Sequence, residues 1–246
     1  MRSVIDKAAA VVAAVALAVT FVAAGFAACA AFPQTTEMLA NAFSGTDNPD
    51  TPFSQGDLVH AAVVTRDYTV SSNDREAVFA MLHDINASAG TRYADADQAA
   101  LAAAPDAFTL DAEALSHLDD VYRVVVAARG ALIAIAVLAV AACAYTAVRG
   151  GKRPLGGVLL AAGAGVLAVF ALLAAWVLVD FNGFFAAFHS LFFADGTWTF
   201  SYESLLITMY PPAFWMGMGA VWLATTAVLS ILAIAIGTAL RRRRPV

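Results

Sequence analysis

Two histidines far apart in the chain, His117 and His189, are the side chains best suited to chemistry. Imidazole takes and gives protons near neutral pH, so two of them can act as general base and general acid. Asp120 lies three residues after His117, within helical reach, and a carboxylate there can orient the ring or raise its basicity. Asp119 and Arg123 stand at i and i+4 in the favourable order and read as an ion pair on a solvated helix face. Arg129, about two turns beyond Asp120, can stabilise an oxyanion or snorkel to a lipid headgroup. Around His189, Asp180 and Asn182 come before, while Asp195, Gly196 and Tyr210 come after; Asp195 and Tyr210 are candidates for support. Ser116 and Ser190 each adjoin a histidine, but sequence neighbours point apart on a helix and make no nucleophile–base pair. His60 and His83 fall on helices predicted to be surface or packing elements. There is no G-x-S-x-G elbow, no phosphate-binding P-loop, no HExxH and no Cys/His metal spacing. The expectation is a reaction with no metal and no cofactor.

The elements that must position these residues are membrane elements. Phe181, Phe184, Phe185, Phe188 and Phe192 recur at helical spacing, and His189 falls on the same face. Trp198, Phe200, Tyr202, Tyr210, Phe214 and Trp215 follow closely, a density of rings that fits a membrane–water boundary. Of the 246 residues, 61% are hydrophobic and only 13% charged, too apolar for a soluble domain. Four runs, Ala8–Phe32, Ala131–Val148, Leu155–Val179 and Ala213–Leu240, approach or exceed the ~20 residues that span a bilayer as helix. Alternation at period two is absent, so the spans are helices and the class is all-α: a polytopic membrane protein of four transmembrane helices with a small helical extracytoplasmic cap. The first run has a basic start and small residues before Cys29, but it is longer than a signal-peptide core and reads as a retained helix.

Charge orients the spans. Arg2, Lys7, Arg149, Lys152, Arg153 and Arg241–Arg244 flank one side, which puts both termini and the 149–154 loop in the cytoplasm. Segments 33–123 and 180–212 then face outward, and every acidic residue except Asp6 lies in them. The expected division is 1–32 for the N-terminus and first span, 33–116 for the cap, 117–148 for an outer helix end and second span, and 149–154 for an inner loop. It continues with 155–179 for the third span, 180–212 for an outer aromatic segment, 213–240 for the fourth span and 241–246 for a basic tail. Both histidines then sit at the outer leaflet of the membrane. The net charge of −5 is an average over two surfaces and argues against nucleic acid as partner. Cys29 and Cys143 fall at opposite membrane faces and are not expected to pair.

In the cap, Gly45–Phe53 is rich in turn formers. Ser54 with Asp57 and Asn73 with Glu76 have capping-box spacing, ahead of helices burying Leu58 and Ala62, and Val78, Met81 and Leu82. Ala94–Ala107 reads as loose, and a segment with so few large apolar residues makes a marginal core alone. Asp111 starts a helix that runs unbroken into the second span. Pro154 and Pro211–Pro212 open the third and fourth spans, and Gly156, Gly157, Gly163 and Gly165 permit close helix contact.

The stretches ALSHLDDVYRVV (114–125), FHSLFFADGTWTF (188–200) and LLITMYPPAFW (205–215) resemble the lipoprotein intramolecular transacylases, bacterial four-helix membrane proteins, and their relatives. The resemblance extends to the order of span, outer cap and three further spans. It implies that an acyl chain moves from an S-diacylglyceryl group to the α-amine of the same N-terminal cysteine, and that the family's two essential histidines correspond to His117 and His189. Its partners would be a diacylglyceryl-modified lipoprotein and membrane lipid. Two other classes stay open at this point: an outer-leaflet lipid hydrolase or intermolecular acyltransferase, and a non-enzymatic bundle whose cap binds a partner.

Overall fold

A computed structural model describes residues 3–242. Along the chain come α1 (Val4–Ala30), α2 (Pro33–Phe43), α3 (Gln55–Asp67), a π-helical turn (Tyr68–Ser72), α4 (Arg75–Ser88) and α5 (Gln98–Ala102). They are followed by α6 (Ala112–Gly150), α7 (Lys152–Val179), α8 (Phe181–Ser190), α9 (Leu205–Met209) and α10 (Pro212–Arg242). No strand occurs among the described residues, so the class is all-α. Helices α1, α6, α7 and α10 are each long and apolar enough to cross a membrane. Arg2, Arg243 and Arg244, used above to orient the spans, lie outside the described residues.

Two compact units emerge. The first joins most of the four long helices: among the described residues, 3–28, 128–184 and 221–242. Lipid tails are as apolar as leucine, so close backbone approach and polar contacts must hold such helices together. Gly156 and Gly237 meet across α7 and α10 so closely that a Cβ on Gly156 would fall 2.6 Å from the Gly237 carbonyl oxygen. Gly163 is equally tight, 2.5 Å from the Ser230 carbonyl oxygen, whereas Gly157 and Gly165 face open space. Between α1 and α10, the Trp222 indole donates to the Val22 carbonyl at 2.9 Å. Within 149–154, only Gly151 stands outside a helix, at φ 76°, where a side chain would be strained.

The second unit comprises residues 29–127 and 185–220. The Ser54–Asp57 capping box opens α3 as expected. At α4 the cap is Asp74, which accepts from the amides of Glu76 and Ala77, instead of Asn73. Asn73 closes the π-turn in the left-handed region at φ 49°, a conformation Asn tolerates, so it cannot also be the extended cap residue. The stretch read as loose holds α5, with Asp97 as N-cap and Leu101 buried. The marginal-core problem is solved by sharing. Leu58, Tyr68, Met81, Leu82 and Ile85 bury together with Leu110 and Leu115 near the start of α6, Leu205 and Met209 of α9, and Phe214 of α10. Polar ties fix α9: the Ser44 hydroxyl donates to the Met209 carbonyl at 2.7 Å, and the Gly45 amide to that of Thr208 at 2.8 Å.

Candidate active site

His117 stands two turns into α6, ahead of the apolar run that begins at Ala131. Asp111 starts this helix by accepting from the Ala114 amide at 2.8 Å. Ala114, Leu115 and Leu118 are buried in the second unit's core, which fixes the rotation of the helix and so the direction of His117. The ring is 8% exposed. It lies edge-on to Phe193 at 4.9 Å between centroids and tilted against Phe200 at 5.6 Å. Its Nδ1 is buried and has no hydrogen-bond partner.

His189 is the penultimate residue of α8, in the same unit. The helix stops there because the Phe192 and Phe193 amides turn back to the His189 carbonyl, and Gly196 at φ 83° reverses the chain. The ring packs 4.0 Å from Phe185 and 4.9 Å from Trp198. Its Nδ1 lies 2.9 Å from the Phe185 carbonyl oxygen. A carbonyl only accepts, so Nδ1 carries the proton, and in the neutral ring the lone pair is on Nε2. The structure thus brings the two histidines together from separate segments: their rings lie 6.2 Å apart, inclined by 29°. That gap is too wide for the rings to touch face to face. It suits one polar substrate group reaching both through hydrogen bonds of about 3 Å.

Burial lowers the His117 pKa to about 4, with the neighbouring His189 adding to the shift and Asp120 pulling weakly the other way. Burial also lowers that of His189, against the hydrogen bond that its Nδ1 donates to the Phe185 carbonyl. Both imidazoles are therefore neutral near pH 7. The expectation that Asp120 makes His117 more basic is not met, because desolvation outweighs it. Asp120 instead accepts from Arg123 at 2.6 Å. The expected Asp119–Arg123 pair does not form either. Asp119 accepts from the Tyr68 hydroxyl, from Asn73 at 3.1 Å and from Arg75 at 2.5 Å. Burial alone would raise its carboxyl, but these donors outweigh burial and hold it below the usual carboxylate range.

The other candidates are committed elsewhere or exposed. Tyr210 donates its hydroxyl to the Ala62 carbonyl at 2.5 Å and is buried, a tie between α9 and α3 rather than a free acid. Asp195 is exposed on its turn. Arg129 is exposed and belongs to the first unit. His60 and His83 are exposed, in keeping with a surface reading. Two features escaped sequence reasoning. The Asp119 network joins residues 44 or more positions apart and has no local signature. Trp198 stood out only as one ring among many, yet it packs on His189 and its Nε1 is buried without a partner.

The profile of the lipoprotein intramolecular transacylase (Lit) family matches residues 54–215, a stretch that contains both histidines and most of the second unit. The chain belongs to that family. No curated protein matches it in sequence. In fold, it is similar to the membrane-integral lipoprotein intramolecular transacylase Lit from Bacillus cereus, with a TM-score of 0.71 over 97% of each chain at 16% identity. Two variants of that protein, each with one histidine replaced, match with TM-scores of 0.66 and 0.67 at 16% and 15% identity. They cover 96% of this chain and 92% and 93% of their own. Membership makes this Lit-family chain an acyltransferase that moves an acyl group within a lipoprotein. It is a multi-pass membrane protein, as its four apolar helices require.

Proposed function

We propose that His117 and His189 are the catalytic residues of this intramolecular transfer, with His189 as the base. The observation that carries the reading is the inclined pair itself: a buried and a half-buried imidazole, both neutral, 6.2 Å apart, one with its tautomer fixed by a backbone carbonyl. The α-amine of the lipoprotein's N-terminal cysteine, an ammonium near neutral pH, first gives one proton to bulk water and reacts as the free amine. His189 Nε2 has the lone pair to guide the amine toward the ester carbonyl and to take its proton as the C–N bond forms. That proton then goes to the glyceryl oxygen as the ester C–O bond breaks, so neither acid nor base is consumed. His117, with a ring nitrogen that finds no protein partner, bonds the substrate's polar group between the rings. This reverses the roles that Asp120 alone suggested.

Amine and ester belong to one molecule, so holding them together removes much of the entropic barrier. Phe185, Phe193, Phe200 and Trp198 crowd the imidazoles and limit the approach of water, which favours transfer to the amine over hydrolysis. The rings also suit the acyl chains of a diacylglyceryl lipoprotein taken from membrane lipid. On the positive-inside rule, the reaction takes place at the outer leaflet, with both termini cytoplasmic. The test uses purified protein and a synthetic diacylglyceryl lipopeptide, with the N-acylated lyso product read by mass spectrometry. His117→Gln and His189→Gln each lose at least about a hundredfold in turnover, on the scale of a general acid–base residue. His60→Ala and His83→Ala keep it. Full turnover by either of the first two refutes the assignment.

A further inference from the structure

The catalytic pair accounts for the protons but not for the negative charge that gathers on the ester carbonyl oxygen during attack. We propose that the indole N–H of Trp198 donates to that oxygen; the inference rests on His117 and His189 being the catalytic pair. Trp198 packs against His189 at 4.9 Å, inclined by 31°, and against Phe185 at 6.4 Å. Its Nε1 is buried and has no partner. An indole N–H can only donate, and buried donors left unpaired are rare and costly, so one on a ring packed against the His189 imidazole marks a place for an acceptor. Nearby hydroxyls are already committed: Ser190 to Ala187, Thr197 to Ala194 and Tyr210 to Ala62. Arg129, the cation that sequence reasoning offered for this role, is exposed and belongs to the first unit.

The step balances without a further reactant. The amine nitrogen attacks the carbonyl carbon, and the C=O π pair moves onto oxygen, where the Trp198 N–H meets it. His189 Nε2 takes the amine proton. The carbonyl re-forms, the C–O bond to glycerol breaks, and the leaving oxygen receives that proton. A fixed donor aimed at a developing oxyanion acts in the transition state more than in the ground state, so its loss falls on kcat.

Trp198→Phe keeps an aromatic ring and removes only the donor. In the full-length protein acting on a diacylglyceryl lipopeptide, kcat should fall on the order of a hundredfold, with KM within a few-fold. Thermal stability should be unchanged or higher, since an unpaired buried donor has gone. A merely structural tryptophan would lose Tm and leave the kcat of the folded fraction intact, and that result overturns the proposal. Should Trp198→Phe fail to fold, replacement by benzothienylalanine, which keeps the ring shape without the N–H, gives the same reading; unchanged kcat there overturns it too. His189→Gln run in parallel separates the two ideas. An inactive His189→Gln beside a fully active Trp198→Phe removes this inference alone, while an active His189→Gln removes the catalytic pair as well.

Discussion

His117 is placed to stay neutral. Burial among Phe193 and Phe200, with a second imidazole beside it, pushes its pKa from 6.5 to about 4. The folded protein therefore binds this proton less readily than the unfolded chain. The stability linked to His117 is complete above pH 6.5 and is lost as pH falls toward 4. Titration of the isotope-labelled His117 ring by NMR in a lipid nanodisc should show a midpoint well below 6.5; a midpoint at or above it contradicts the burial account. At this scale the sequence revealed residue types but not their partners. His117 and His189 could be singled out because imidazoles are scarce in the chain and the segment around His189 is crowded with rings. Asp119 and Asp120 were equally able to pair with Arg123 by spacing. Tertiary donors decided the matter: Tyr68, Asn73 and Arg75 claim Asp119, which leaves Arg123 to Asp120. Nothing local to either carboxylate could announce that.

Among the elements, α7 offers a matched pair of glycines. A Cβ on Gly163 meets the Ser230 backbone at 2.5 Å, so Gly163→Ala forces α7 and α10 apart and should cost about 1–3 kcal/mol. Gly165 faces open space, so Gly165→Ala should be neutral or stabilising by up to about 1 kcal/mol through helix propensity. Thermal unfolding in detergent compares the two, and equal losses would contradict this packing. The start of α6 is tied down by Asp119, which gathers three donors from residues 68–75. Asp119→Ala should destabilise by about 1–2 kcal/mol, as expected when a half-buried charged acceptor is lost, and a variant as stable as the parent would show the network to be idle. The four long helices were legible because a bilayer demands length and apolarity together, and both can be read by eye. The Ser54–Asp57 box was legible because both partners are local. The Asn73 cap was not, since an unforeseen π-turn placed Asn73 in the left-handed region and passed the role to Asp74. The stretch Ala94–Ala107 looked loose because its one anchor, Leu101, is buried only by contacts from elsewhere in the chain.

For the whole molecule, the proposed orientation puts the basic residues inside and both histidines outside. In a Cys29→Ala, Cys143→Ala background, Ala100→Cys should react with a membrane-impermeant thiol reagent in intact cells, and Lys152→Cys only after lysis. The reverse pattern would turn the protein over and put its histidines on the wrong side. Family membership was legible from short motifs around the two histidines and at the opening of the last span, segments that lie together in the second unit. The cap's architecture was less so, because its core is completed by side chains from α6, α9 and α10. The central claim is that His117 and His189 work as one unit. Its most direct test is turnover of a diacylglyceryl lipopeptide by the purified His117→Gln, His189→Gln double variant, compared with each single variant. Residues that act together lose their effect together, so the double variant should form no more N-acylated lyso product than the weaker single variant, and lose little beyond it. A folded double variant that still converts the lipopeptide at a rate near the parent's would contradict the account.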